Sequence, residues 1–258
     1  MHDSNRPLLI HIGHHKTGST FVQKLIFQKA ECGFYSPWLH REYIEKLIIC
    51  NPFAFDSSET RSFFEPGIVE AWKNSLVPVI SDEMLSGNPW KGGYSSRSTA
   101  DRLFATFPEG RVLIVIREQT SMILSMYKHF ARNYLSASIQ SYLEPPKPAI
   151  EPLFRLEYLE YHWLISYYQQ LFGKENVLVL PYEMIKLDKS GFLQRLSSFT
   201  ETNIPDDIGQ EVVNRGYSGL TIELKRWTNL FSPNRPTSSW YTKLNNSVFY
   251  HIRILSYQ

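Results

Sequence analysis

The stretch Leu8–Thr20, LLIHIGHHKTGST, decides how this chain reads. Leu8 to Ile12 is apolar except for one histidine and shows no alternation, the pattern of a strand buried on both faces. Gly13 ends that run, and Gly18-Ser19-Thr20 opens a predicted helix from Thr20 to about Ala30. Phe21, Val22, Leu25 and Ile26 form its apolar stripe, and Gly33 is the stop signal. A strand, a glycine loop and a helix in succession aim backbone N–H groups at one point, which suits an anion.

Against the phosphate-binding pattern G-x4-G-K-[ST], Gly13, Gly18 and Thr20 fit. Ser19, however, occupies the lysine slot, and the lysine lies three residues earlier at Lys16. A lysine in the rim of the loop suits an anion shorter than a triphosphate. The plainer alternative is a glycine turn capped by Ser19 and Thr20 with Lys16 in solvent. His14 and His15 either shape the loop or face a reactant.

Outward from this loop, β-branched runs recur at VPVIS from Val77, RVLIVI from Arg111 and NVLVLP from Asn176, with a weaker GFYSP from Gly33. Strands alternating with helical patterns predict an α/β fold of three layers, P-loop NTPase-like, with a mainly parallel sheet of about five strands flanked by helices. Phe154–Phe172 is expected to be one packed helix rather than an aromatic ligand cage, through Leu156, Leu159, Trp163, Tyr167 and Leu171. SIQSYLEPPKPAIEP before it carries four prolines and reads as a surface excursion, part of an acceptor-side segment at 134–153. A further helix is expected around 221–230.

A chain of 258 residues suits a single domain over 1–258, its cofactor core at about 8–130 and 174–230. Lys and Arg number 27 against 25 Asp and Glu, so no global basic field argues for nucleic acid, and an anionic ligand must meet a local cluster. Two cysteines, Cys32 and Cys50, are too few for a disulfide framework or a four-cysteine zinc site and are expected to be buried thiols. No basic n-region with a long apolar stretch opens the chain, and no apolar run reaches the ~18 residues of a membrane helix. A cytoplasmic protein without an integral membrane segment is the expectation; oligomeric state is left open.

A second clamp repeats the first. Arg117 ends the strand RVLIVI, Thr120 or Ser121 is placed to cap the next helix, and Ser125 lies one turn further on, where its hydroxyl and the Arg117 fork could grip one phosphate. An ion pair of Arg117 with Glu118 or Glu83 is the structural alternative. VPVISDEM ends a third buried strand in Asp82-Glu83. That is compatible with a magnesium-binding aspartate and water-orienting glutamate in an ATPase or small-molecule kinase, with a general base, or with a helix cap.

HIGHHKTGST together with Arg117 and Ser125 at this spacing resembles the sulfotransferases that use 3′-phosphoadenosine-5′-phosphosulfate (PAPS), closer to the bacterial and carbohydrate type. NVLVLPYEMIKLDKSGFLQRLSSF and NRGYSGLTIELKRWTN are similar to that family's strand-Tyr-Glu segment and C-terminal loop, so the likeness spans Leu8 to about Asn229. It implies that Lys16, Thr17, Gly18, Ser19 and Thr20 bind the 5′-phosphosulfate. It implies further that Arg117, Ser125, Arg215 and Gly216 bind the 3′-phosphate, and that Tyr182 lies near the adenosine. Glu83 corresponds to the base, with His14 or His15 as alternatives, and Lys16 steadies the leaving group. The reaction implied is sulfuryl transfer to a hydroxyl or amine of a carbohydrate, lipid or small molecule, releasing the 3′,5′-bisphosphate (PAP) and requiring no metal. Trp90, Tyr94 and Tyr134 are candidate acceptor contacts. The rivals are the ATPase or kinase and a non-catalytic nucleotide-binding relative.

Overall fold

In a computed structural model, residues 6–89, 92–133, 138–144 and 154–209 are described, with 222, 227 and 229 as isolated positions. The four strong sequence strands form as β1 (Leu9–Gly13), β3 (Val77–Ser81), β4 (Arg111–Ile116) and β5 (Val177–Pro181); GFYSP yields only the two-residue β2 (Phe34–Tyr35). All pair in parallel, in the order β2-β3-β1-β4-β5. This is the expected three-layer α/β architecture. β1 lies between β3 and β4, with the register Leu9 to Val79 on one side and Leu9 to Arg111 on the other. From β1 the chain runs to the edge strand β2, returns inward to β3 beside β1, and then crosses to β4 and out to β5, so the carboxyl ends of β1, β3 and β4 surround the crevice where ligands of open parallel sheets bind.

Alternating side chains feed two cores. Ile10, Ile12, Ile80, Val112 and Ile114 pack beneath α3 (Ser57–Lys73), α4 (Ser96–Thr106) and α7 (Tyr161–Phe172). Leu9, Val79, Leu113 and Val115 pack on the opposite face with Phe21, Val22 and Ile26 of the first helix and with Phe192, Leu193 and Leu196 of α9 (Lys189–Thr200). β1 and β3 are buried along their whole length and β4 at all but its ends, which is why their sequences run apolar without alternation.

Three local expectations give way. The first helix is α only over α1 (Ser19–Val22) and widens into a π-helical turn over Gln23–Phe27. Phe154–Phe172 is not one helix: a 3-10 turn at Leu156–Leu159 is followed by Glu160 (φ −78°, ψ 67°) before α7 starts, and Leu156 and Trp163 are exposed. The spacing was helical, but the Glu160 backbone breaks it and turns Trp163 outward. Cys32 is buried as expected, whereas Cys50 is only half-buried. Most of the proline-rich excursion and of 221–230 lies outside the described residues.

Candidate active site

The loop after β1 is held at both ends. His14 N–H donates to the Val115 carbonyl of β4 at 3.3 Å, and the Thr17 N–H and hydroxyl both donate to the His14 carbonyl. Lys16 has φ 67° and Gly18 φ 81°, both left-handed. For a lysine that conformation costs on the order of 1 kcal/mol. The Arg117 guanidinium donates to the Lys16 carbonyl at 2.8 Å, tying the strained turn to the end of β4. Glycine is required at 18 for a second reason: a Cβ there would stand 3.1 Å from the Tyr182 ring. The amides of Ser19 and Thr20 open α1, where no intrahelical acceptor exists, and no side chain caps them. Donors aimed out of a helix start, in a loop fixed from behind, fit a phosphate-like anion.

Lys16 is half-buried, and its ammonium donates to His129 Nδ1 at 3.2 Å. Burial lowers its pKa; Glu83 pulls it back up, while Arg132 and Arg117 push it down. His129 is held neutral, its pKa lowered to about 4 by burial and then by Lys16 and Arg132. His129 went unread in the sequence, yet Ser121, Ser125 and His129 recur every four residues along α5 (Gln119–Asn133), one stripe facing the loop. That spacing was the available signal.

Arg117 reaches the loop but not by the expected partner. Its Nε donates to Ser121 Oγ at 3.0 Å, and its guanidinium lies 4.8 Å over the ring of Tyr182, a residue whose backbone N–H donates to the Ile116 carbonyl at 2.7 Å. Glu118, and not Thr120 or Ser121, caps α5: its two carboxylate oxygens accept the Thr120 and Ser121 N–H groups, each at 2.7 Å. With that role filled, the Ser121 hydroxyl donates to the Glu118 carbonyl at 3.0 Å while it accepts from Arg117. Ser125 is half-buried one turn from both Ser121 and His129.

At the end of β3, Asp82 and Glu83 part company. Asp82 is buried, its Oδ1 accepts the Met84 N–H at 2.8 Å and its Oδ2 meets His40 Nδ1, so both oxygens are engaged. Burial raises its pKa, against the Met84 and His40 contacts that lower it. Glu83 is half-buried at the start of a 3-10 turn, Glu83–Ser86. Its charge is felt by both His15 and Lys16. With Asp82, His40, Gln23, Tyr43 and Ser81 it lines a cavity of about 320 Å³.

The neighbouring histidines diverge. His15 is lowered to about 4, mainly by burial, with Glu83 opposing and His14, Lys16 and His129 adding. His14 is 1 % exposed, packs edge-on to Tyr158 and against Tyr161, and lines a different cavity of about 430 Å³. Tyr94 belongs to that second cavity, so it is not brought to Glu83. Trp90, Tyr134, Arg215 and Gly216 lie outside the described residues. No group of His, Cys, Asp or Glu that could hold a metal is present among the described residues, and none of their helices is long and apolar enough to cross a membrane.

The sulfotransferase domain family matches residues 98–223, which include Arg117, Ser125, Tyr182, Arg215 and Gly216. Over those residues, just under half of its length, the chain is similar to the sulfotransferase domain family. The loop at 13–20 and Glu83 precede the matched residues and share the sheet with them. The sulfotransferase from Alicyclobacillus acidocaldarius superposes with a TM-score of 0.56 at 15% identity, over 95% of this chain and 96% of that one, so the sulfotransferase fold extends across nearly the whole sequence. Two further similar structures are the sulfotransferase domain of the curacin biosynthetic pathway (TM-score 0.47, 13% identity, 94% and 97% covered) and that of the Synechococcus PCC 7002 olefin synthase (0.49, 11%, 94% and 94%). No curated protein matches the sequence.

Proposed function

We propose that the chain is one catalytic domain that moves a sulfuryl group from PAPS to a hydroxyl or amine of a small-molecule, carbohydrate or lipid acceptor. The carrying observation is the strained loop of outward-facing donors, fixed by Arg117 through the Lys16 carbonyl, in a chain similar to the sulfotransferase domain family. The residues fit a nucleotide bearing phosphate at both ends. Lys16, Thr17, Gly18, Ser19 and Thr20 would take the 5′ end, Arg117 and Ser125 the 3′-phosphate and Tyr182 the adenosine side, with Arg215 and Gly216 as further proposed contacts. Bound PAPS supplies the transferable sulfuryl group.

The chain's own groups do the rest. Lys16 and the loop amides stabilise negative charge growing on the leaving oxygen, an arrangement fixed before reaction and therefore effective. Glu83 accepts the proton of the acceptor hydroxyl, in the polar cavity it shares with Gln23, His40 and Tyr43. An ATPase reading asks Asp82 to serve a magnesium ion, and its two oxygens are already engaged.

The test is a pair of measurements on the full chain. Adenosine 3′,5′-bisphosphate should raise the melting temperature without metal, and Mg-ATP should not. Glu83→Ala should lose about 10²- to 10⁴-fold in transfer of labelled sulfate while keeping that thermal shift. Stabilisation by Mg-ATP alone refutes the donor assignment; near-normal turnover of Glu83→Ala refutes the base.

A further inference from the structure

The second cavity shares no lining residue with the Glu83 cavity. Its outer part is charged and exposed, and those charged groups have partners of their own: Arg155 pairs with Glu157 at 2.8 Å and donates to the Tyr94 hydroxyl at 3.3 Å, Glu160 accepts the Trp163 indole N–H at 2.7 Å, and Arg97 lies 5.0 Å over the Tyr167 ring. The walls are rings and aliphatics, Tyr158, Trp163, Leu164 and Tyr167 among them. At the buried end stand His14 and Tyr168, at 1% and 0% exposure. Both ring nitrogens of His14 and the hydroxyl of Tyr168 lack a hydrogen-bond partner. Ser86 beside them is satisfied, through the Glu83 carbonyl and the Tyr158 hydroxyl, each at 2.8 Å.

A buried polar atom left unpaired costs about 1–3 kcal/mol. Three such atoms, on two residues at the buried end of an aromatic cavity, mark that end as a recognition site awaiting its hydrogen bonds, and about 430 Å³ lies in the range of small-molecule pockets. A neutral imidazole offers one donor and one acceptor, and the tyrosine hydroxyl offers both. We propose that this cavity is a second ligand site, separate from the transfer site, for an uncharged ring-bearing molecule whose hydroxyl or N–H reaches His14 and Tyr168.

The probe is 4-ethylphenol, with 4-ethylanisole as the analogue that accepts but cannot donate, titrated by calorimetry into the full chain without nucleotide. One site is expected, with the phenol about tenfold tighter, or about 1.4 kcal/mol. Tyr168→Phe should shrink that preference several-fold. Leu164→Trp, or Ala100→Met if that variant does not fold, should abolish phenol binding and keep the thermal shift with adenosine 3′,5′-bisphosphate. In a transfer assay the phenol should remain unsulfated. Absence of binding, equal affinity for the anisole, or full binding by the filled variant overturns the site. Sulfation of the phenol overturns its separateness and makes this the acceptor cavity. None of these binding readouts depends on the donor assignment, so the two proposals fail separately.

Discussion

Two cavities flank one loop, and they differ in almost every respect. The cavity at Glu83 is lined by two carboxyls, a histidine, two glutamines and two serines beside Phe27, Trp38 and Tyr43; the cavity at His14 is lined by four tyrosines, a tryptophan and a leucine, with charged residues at its exposed part. Consecutive residues divide them: His15 feels the Glu83 charge, whereas His14 is packed between Tyr158 and Tyr161. The difference shows how one strand-to-loop turn serves opposite tasks. On the polar side the Glu83 charge and the Lys16 ammonium act on one another. The aromatic side carries its charges on the exposed Arg97, Arg155, Glu157 and Glu160, and burial alone lowers the buried His14 to about 3.

The sharpest way to break this division is Lys16→Ala. Loss of a preorganised donor at the leaving oxygen should lower kcat by about 10²- to 10³-fold. Binding of 4-ethylphenol, measured by calorimetry, should be unchanged, since Lys16 is not in the aromatic cavity. A parallel loss of phenol binding would show that the two sides are one site.

The strands and the loop were legible because β1, β3 and β4 are buried on both faces and therefore spell themselves in unbroken apolar runs. The order of the sheet followed less directly, since it is set by pairing between segments some 70 or 100 residues apart, as in Leu9 with Val79 and with Arg111. In the site, Arg117 and Lys16 were readable from their positions after strands. Ser121, His129 and His40 were not, because each acts through a partner that only folding supplies: Arg117, Lys16 and Asp82 respectively. The helical spacing of 154–172 misled because it carries no sign of the Glu160 backbone that ends it, or of the cavity that its rings line.

Acid should separate the two sides next. His11, His14 and His15 have folded pKa values lowered to about 3, 3 and 4 from 6.5 by burial. The unfolded chain therefore binds more protons between those values and 6.5. Stability is complete above about pH 6.5 and falls as pH drops toward 4, by up to about 1.4 kcal/mol per pH unit for each such histidine. His14→Phe, placed among tyrosines, should flatten the decline seen in urea melts between pH 6.5 and 4.5. An unchanged slope would mean that His14 takes up a proton in the folded protein, contrary to an apolar cavity.

The smallest effects decide how the polar side holds the far end of its nucleotide. If Ser125 touches the 3′-phosphate, Ser125→Ala removes a hydrogen bond to a charged group and should weaken adenosine 3′,5′-bisphosphate by about 1.5–3 kcal/mol. It should leave adenosine 5′-phosphate, which lacks that group, unaffected. Ser121 instead braces Arg117 at Nε, so Ser121→Ala should cost the bisphosphate only about 0.5–1.5 kcal/mol. Because Arg117 also holds the Lys16 carbonyl, that loss should extend to the 5′-phosphate compound. Calorimetry with both nucleotides reads the pattern, and a Ser125→Ala loss equal for both would move Ser125 out of the 3′ clamp and leave Arg117 to act there with Ser121.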